Sequence, residues 1–205
     1  RLKKEGREKD IKTELAKIQI IQVDKSMAYC TGPLMEDYLH DMKIAQEYAT
    51  LNRRAIADTI QCGMRWKIDG EFETLHNYID LESMILRKGA VSARKDERLI
   101  VPMNMSWGSI IAEGLGNEDW NESCAHGGGR TMSRKAAKER VSMDDYRKSM
   151  EGIFTTCINK DTIDESPMAY KDPEEVIENL KDTIKILKRL YVVYNFKASE
   201  ETLKR

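Results

Sequence analysis

Apolar and polar positions along this chain follow two periods, and the switches between them mark its elements. The opening RLKKEGREKDIKTELAKIQ is dense in charge and suits an arm or a mostly exposed helix. IQIIQVDKSMAYC reads as a short strand or an extended connection. Thr31-Gly32-Pro33 predicts a turn, and from there to Cys62 no glycine or proline occurs. Leu39, Met42, Ala45, Ala49, Ile56 and Ile60 recur at near-helical spacing. They predict a long amphipathic helix from about residue 36 to about residue 61, stopped by Gly63.

Beyond it the period shortens. From MRWKIDG to VPMNMS apolar residues come in short bursts, with turns expected at Asp69-Gly70 and near Lys88-Gly89, which predicts a set of strands. Residues 108–129 are rich in Gly, Asn and Ser and read as largely loop. SRKAAKER restores a helical signal. PEEVIENLKDTIKILKR predicts a second strong helix, with Pro173 in its first turn, Glu174 and Glu175 at its positive end and Lys188-Arg189 at its negative end. Its buried stripe would be Val176, Ile177, Leu180, Ile184 and Leu187. LYVVYNFKA reads as a closing core strand. There are no repeats, so the fold class is α+β, mixed short strands with long amphipathic helices.

Composition narrows the function classes. At 205 residues, 40% apolar, the chain is one domain or a large piece of one, with enough apolar surface for a core. Lys plus Arg number 34 against 35 Asp plus Glu, which excludes a polybasic binder but leaves room for a local basic groove. The cysteines at 30, 62, 124 and 157 form no CxxC pair, so a zinc ribbon is excluded, and such sparse thiols suit a reducing cytoplasm. No apolar run approaches the roughly 18 residues of a membrane span. The opening residues lack the apolar region of a signal peptide, so the expected location is the cytoplasm, with no membrane partner.

The chain has three histidines, each open to inspection. His126 stands in Cys124-Ala125-His126-Gly127-Gly128-Gly129-Arg130-Thr131-Met132-Ser133-Arg134. Three successive glycines let backbone approach a bound group and aim N–H groups at it, while a helix starting near Ser133 adds anion affinity. Arg130 and Arg134 supply charge that grips phosphate. A histidine at the lip of such a nest can attack phosphorus through a ring nitrogen. Spacing alone favours a plainer account, a glycine-rich surface turn that happens to hold a histidine. His76 lies in Leu75-His76-Asn77-Tyr78, where alternation puts His76 and Tyr78 on one strand face. It is a candidate metal ligand, with Asn77 a candidate phosphate contact, although a hydrogen-bonded strand histidine explains it as well. His40, in the long helix, carries no assigned chemistry. The stretch from Pro102 to Ser109 offers amide and hydroxyl groups for a purine or sugar, or is an ordinary polar turn.

Taken in order, HNYID, ILRKGAVSA, IVPMNMSWGSIIAEGLGN, SCAHGGGRTMSRKAAKER, ESPMAYKDPEEVIENLKDTI and YNFKA resemble the C-terminal half of the RtcB family of RNA ligases. The most specific segment is HGGGRTMSR, against a family pattern close to H-G-A-G-R-x-M-S-R. The resemblance implies an RtcB-like fold, with an arm and connection over 1–35, the C-terminal part of the catalytic domain over 36–198 and a tail over 199–205. It implies a GTP- and manganese (Mn2+)-dependent ligase of tRNA splicing and RNA repair. A histidine takes GMP from GTP and passes it to an RNA 3′-phosphate, opened first where it is a 2′,3′-cyclic phosphate. A 5′-hydroxyl then displaces the GMP. Archease is an implied activating partner.

By motif position the guanylylated residue would be His126, and His76 a metal ligand with Asn77 beside the nucleotide phosphate. Pro102, Met103, Asn104, Met105 and Ser109 fall where family members contact the nucleotide, as do Gly127, Gly128 and Gly129. Lys197 matches the guanine-contacting lysine, and Tyr170 of the AYKD motif joins the purine pocket. Two departures stand out: Gly128 replaces the alanine of the family pattern, and Met103-Asn104-Met105-Ser106 replaces a Gly-Ser-Met-Gly run. The family's other manganese ligands, an Asp, a Cys and two histidines, come from motifs not found in these 205 residues. The chain therefore reads as the C-terminal portion of a ligase, or as a guanine-nucleotide and RNA-binding module that is catalytically incomplete alone.

Overall fold

A computed structural model describes residues 3–17 and 24–197. Residues 18–23 of the strand or connection expected over 18–30, and everything from Ala198 on, lie outside the described residues. Contacts divide the chain into two units, Arg1–Ile44 and Ala45–Arg205.

In the first unit the charged arm forms a 3-10 turn, Glu8–Asp10, and α1, Ile11–Ala16, with no buried residue. After residue 24 a 3-10 turn at Lys25–Met27 takes the place of the expected connection. It is set by the Asp24 carboxylate, which accepts from the Ser26 amide at 2.8 Å. α2, Gly32–Met64, begins in this unit and runs on into the second. Gly32 and Pro33, expected as a turn, form its first turn, where proline's missing N–H has no intrahelical partner to lose. Gly63 does not stop it; α2 ends at Met64, before Arg65 at φ 54°. No residue of α2 is buried, and Ile56 and Ile60 of the expected stripe stay half exposed.

The second unit holds three sheets. In the first, β1 (His76–Asp80), β2 (Ile85–Ser92) and β5 (Ser123–Ala125) pair antiparallel in the order β1-β2-β5. The strands begin only at His76, so 65–75 is not the strand region the sequence suggested. The turn expected at Lys88-Gly89 falls instead at residues 81–84. Gly89 lies inside β2 at an irregularity opposite Asn77, where both carry positive φ.

In the second sheet β4 (Gly108–Gly114) is central, between β3 (Arg98–Asn104) and β7 (Ile184–Leu190), all antiparallel. Two expectations fail here for physical reasons. Residues 108–114 are not loop: Ile110 and Ala112 bury on one face, and the flanking glycines serve close approach. A Cβ on Gly108 would stand 2.0 Å from the Leu190 carbonyl oxygen. The second helix is not long: α5 spans only Pro173–Glu178, and Ile184–Leu190 pairs with β4. Ile184 is buried as expected, but Leu187 is exposed. The apolar spacing at 184, 186, 187 and 190 fits either period, and the open edge of β4 decides for the strand.

The third sheet is a short parallel pair, β6 (Phe154–Thr155) with β8 (Tyr194–Asn195). The closing core strand is reduced to β8, and Tyr191, Val193 and Phe196 lie exposed. α3, Arg134–Arg140, forms where the sequence placed it, capped by the Ser133 hydroxyl accepting from the Ala136 amide at 3.1 Å. α4, Met143–Ser149, capped in the same way by Ser142, is an addition.

Two cores result. Val91 and Cys124 of the first sheet pack with Leu99, Val101, Ile110 and Ile184 of the second, and Val176 and Leu180 close that core. Met105, Ala137, Tyr146, Met150 and Ile163 form the other. Among the described residues no helix is long and apolar enough to cross a membrane.

Candidate functional site

The segment after β5 carries His126 and the three glycines, and backbone hydrogen bonds tie it on three sides. The His126 amide donates to the Gly89 carbonyl at 3.3 Å, and the Gly128 amide to the Pro102 carbonyl at 2.9 Å. The Lys171 amide donates to the Gly129 carbonyl at 3.1 Å, beside a bridge between Arg130 and Tyr170. A Cβ on Gly128 would meet the Met103 carbonyl oxygen at 2.8 Å, so only glycine allows this approach. The close fit uses one of the three glycine amides internally, which shrinks the expected nest of N–H donors.

The His126 side chain is exposed and stacks on His76, with ring centroids 5.4 Å apart and planes at 24°. Partial burial, the facing His126 ring and the charge of Arg53 hold the His76 imidazole below its ordinary pKa, which favours its neutral form. The two rings are carried by β1 and by the turn out of β5, and a buried network braces those strands. Asp80, at the end of β1, accepts from Arg87 of β2 at 3.2 Å and also from Arg94. Arg87 further donates to Ser123 Oγ of β5 at 2.9 Å and to the Tyr78 hydroxyl at 3.1 Å. Tyr78 therefore faces Arg87 while His76 faces His126; positive φ at Asn77 breaks the simple alternation. Asn77 Oδ1 accepts from the Gly89 amide at 2.8 Å, so this oxygen holds the His126 loop in place.

A cavity of about 740 Å³ opens on one side of the glycines. Pro102, Met103, Asn104, Met105 and Ser109 line it together with His126, Gly127, Gly128 and Gly129. Arg130, Arg134, Tyr170 and Lys197 complete it, so every candidate nucleotide or phosphate residue except His76 and Asn77 meets there. Their parts differ. Met103 and Met105 are buried core residues. Asn104 Oδ1 caps the β3–β4 turn, accepting from the Trp107 amide at 2.8 Å and the Ser106 amide at 3.1 Å.

Sequence reasoning missed the group that organises the polar end, Glu165. It accepts from the Tyr170 hydroxyl at 2.8 Å, Arg134 at 2.6 Å and Lys197 at 3.3 Å, with Arg130 at 3.6 Å. Burial pushes the Glu165 pKa up, but the Tyr170 hydrogen bond and the Lys197 and Arg134 cations outweigh it and hold it below the ordinary value. Burial and the same carboxylate raise the Tyr170 phenol. Arg130 is engaged internally, donating to the carbonyls of Met132, at 3.1 Å, and Asp164. Arg134 also pairs with Asp164 at 2.7 Å, while most of its side chain faces solvent. Glu165 ends a 3-10 helix ahead of Pro167, and no spacing in the sequence links it to Lys197.

A tight manganese site takes several ligands. Among the described residues no group of three or more His, Cys, Asp or Glu is placed to hold a metal. His76 has His126 beside it and no carboxylate or thiol completing a set, so these residues do not fit such a site by themselves.

A family model described as tRNA-splicing ligase RtcB matches residues 7–198. The RNA-splicing ligase RtcB of Escherichia coli K12 is 35% identical over 169 residues, covering 74% of this chain and 41% of that protein. The tRNA-splicing ligase RtcB of Methanopyrus kandleri is 28% identical over 184 residues, 68% of this chain and 18% of that protein. That of Thermococcus kodakarensis is 25% identical over 181 residues, 70% of this chain and 37% of that protein. The chain spans about two-fifths of the length of the Escherichia coli protein. It belongs to the RtcB family.

Proposed function

We propose that this member of the RtcB family takes GTP into the cavity between Pro102 and Lys197 and accepts GMP on His126, in the service of RNA end joining. A ring nitrogen of His126 attacks the α-phosphorus; a nitrogen–phosphorus bond forms, and the bond to the pyrophosphate oxygen breaks. GMP then passes to an RNA 3′-phosphate, and the oxygen of an RNA 5′-hydroxyl displaces it to close the strand. Lys197 and Tyr170, oriented by Glu165, would hold the guanine. The observation that carries this reading is that His126 opens onto the cavity gathering the motif residues. A neutral His76 ring against His126 suits a nucleophile that must itself be unprotonated.

A second reading has its own observation. With no metal-holding group of three among the described residues, this chain would bind guanine nucleotide and RNA without catalysing transfer. Manganese enters the first reading only with donors beyond the two rings.

GTP labelled at the α-phosphate, incubated with manganese and the chain and run on a denaturing gel beside His126→Ala, separates the two. An acid-labile band on the wild type alone supports guanylylation at His126. A band that survives in His126→Ala refutes the assignment. A folded wild type that binds GTP but carries no band supports the binding module.

A further inference from the structure

Pairing of β7 with β4 ends at Leu190, and pairing of β8 with β6 begins at Tyr194. Residues 191–193 therefore cross between two sheets, and all three line the nucleotide cavity. The crossing forms a strap along one wall of that cavity and leads to Lys197, which lines it as well.

Both ends of the strap are tied to one turn, that between β3 and β4. At the far end the Asn195 carboxamide donates to the Met105 carbonyl. At the near end the tie is Arg189, the last residue but one of β7. Its guanidinium carbon lies 3.7 Å from the centroid of the Trp107 ring and 4.6 Å from that of the Tyr191 ring. One terminal nitrogen donates to the Trp107 carbonyl at 3.3 Å, while its Nε is buried with no hydrogen-bond partner among the described residues. Trp107 is anchored in turn: its amide donates to Asn104 Oδ1 at 2.8 Å, and its indole N–H to Glu174 of α5 at 3.3 Å. Tyr191 is 74% exposed, so the guanidinium beneath its ring is what gives that ring a fixed place. Neither Arg189 nor Trp107 lines the cavity. A planar cation is attracted to an aromatic face, and a guanidinium can serve two rings where a lysine ammonium serves one.

We infer that Arg189 is a positioning residue of the nucleotide cavity: by joining Trp107 to Tyr191 it holds the strap, and Lys197 with it, in the binding-competent place before a ligand arrives. Arg189 touches no ligand itself. Its effect is preorganisation, because a strap that is in place only part of the time lowers the apparent affinity in the same proportion. The inference rests on the reading of this cavity as a guanine-nucleotide site with Lys197 on the base.

The test titrates N-methylanthraniloyl GTP, and its ATP counterpart, into the whole chain. Binding is read by anisotropy, and circular dichroism melts establish that each variant is folded. Arg189→Met keeps the aliphatic stem and removes the charged plane. It should weaken the GTP analogue about fivefold, the scale of a cation–π contact. The ATP analogue should lose less, since adenine offers Lys197 no carbonyl oxygen. Arg189→Lys keeps the charge without the plane and should cost the GTP analogue about twofold. Lys197→Met should also weaken the GTP analogue, and adding Arg189→Met to it should cost little more, because no lysine is left for the strap to place. A purely structural residue would give strict additivity instead. In a chain carrying Trp66→Phe and Trp120→Phe, the emission of Trp107 reads the ring contact directly and should change in Arg189→Met with no ligand present. Lys185→Gln, exposed on β7 outside the cavity, should change nothing. If folded Arg189→Met binds the GTP analogue as the wild type does, if its loss adds in full to that of Lys197→Met, or if Trp107 emission is unchanged, this inference is overturned and the nucleotide reading stands. Should Arg189→Met fail to fold, Arg189→Lys decides on the same criteria. If the folded wild type does not bind the GTP analogue, or Lys197→Met binds it as well as the wild type does, the nucleotide reading fails at its guanine contact and this inference with it.

Discussion

Replacing Asp80 by Asn removes one charge from beneath the histidine pair and nothing else of similar size. The side chain is 9% exposed and its partner Arg87 1%. Burial alone would push the Asp80 carboxyl up. The amides of Ser83 and Glu82 and the Arg87 guanidinium outweigh it, holding the pKa at about 2 against an ordinary 3.8. Because the folded value is the lower one, the stabilisation is fully present above about pH 4 and drains away as pH falls toward 2. That gap is worth about 2 kcal/mol at neutral pH. Asn keeps an oxygen for the two amides but gives Arg87 no countercharge. Arg87 retains Ser123 Oγ at 2.9 Å, the Tyr78 hydroxyl at 3.1 Å and the Asn121 carbonyl at 3.3 Å. The cost should therefore stay near 2 kcal/mol, below the roughly 3–5 kcal/mol of an abandoned buried charge. For a chain of this size that is a melting shift of about 4–8 °C. Urea unfolding followed by circular dichroism at pH 7, 5 and 3 measures it, and roughly half of the difference between the two chains should be gone at pH 3. Equal urea midpoints at pH 7, or a difference that widens on acidification, would refute the argument.

Glu165→Gln leaves Arg134, Arg130 and Lys197 around a neutral amide. Stability should fall by about 1–2 kcal/mol, and under the proposed function any preference for a GTP over an ATP analogue should narrow, because the amide keeps one acceptor oxygen but offers Lys197 and Tyr170 no negative charge. Gly128→Ala drives a Cβ to 2.8 Å from the Met103 carbonyl oxygen and should cost about 1–3 kcal/mol in thermal unfolding. Adding Met103→Gly removes a buried side chain but keeps the backbone atoms that the Cβ meets, so the two losses should add in a double-mutant cycle; a large coupling energy would count against a backbone contact.

Much of this arrangement was legible in the sequence, and the failures share a cause. α3 was legible because Ser133 is a cap and SRKAAKER contains no residue that resists a helix. α2 was legible from its spacing, although the sequence could not tell that its apolar positions stay uncovered by the described residues. Ile184–Leu190 and Gly108–Gly114 were misread because their identity is settled by each other. β4 needs a partner to be recognised as a strand, and that partner looked helical until β4 was there to claim it. At the site, motif order collected the residues that meet around His126. Spacing could not assign jobs within the set: Asn77 and Asn104 turn out to spend their carboxamide oxygens on the backbone, and Glu165 gathers its partners across long sequence separations.

The two departures from the family pattern, far apart in sequence, meet in space. Where the pattern pairs a glycine after the proline with an alanine in the histidine loop, this chain has Met103 and Gly128. The atoms nearest a Cβ at 128 are all backbone atoms of Met103: its carbonyl oxygen at 2.8 Å, its Cα at 3.1 Å and its carbonyl carbon at 3.2 Å. Removing that Cβ lets the loop settle onto β3, with the Gly128 amide 2.9 Å from the Pro102 carbonyl. The Met103 side chain, 3% exposed, points into the core with Leu99, Val101 and Ile110. The loop that carries His126 is thereby fixed by the packing of the strand below, so a change in that core at Met103 reaches His126 through one backbone contact.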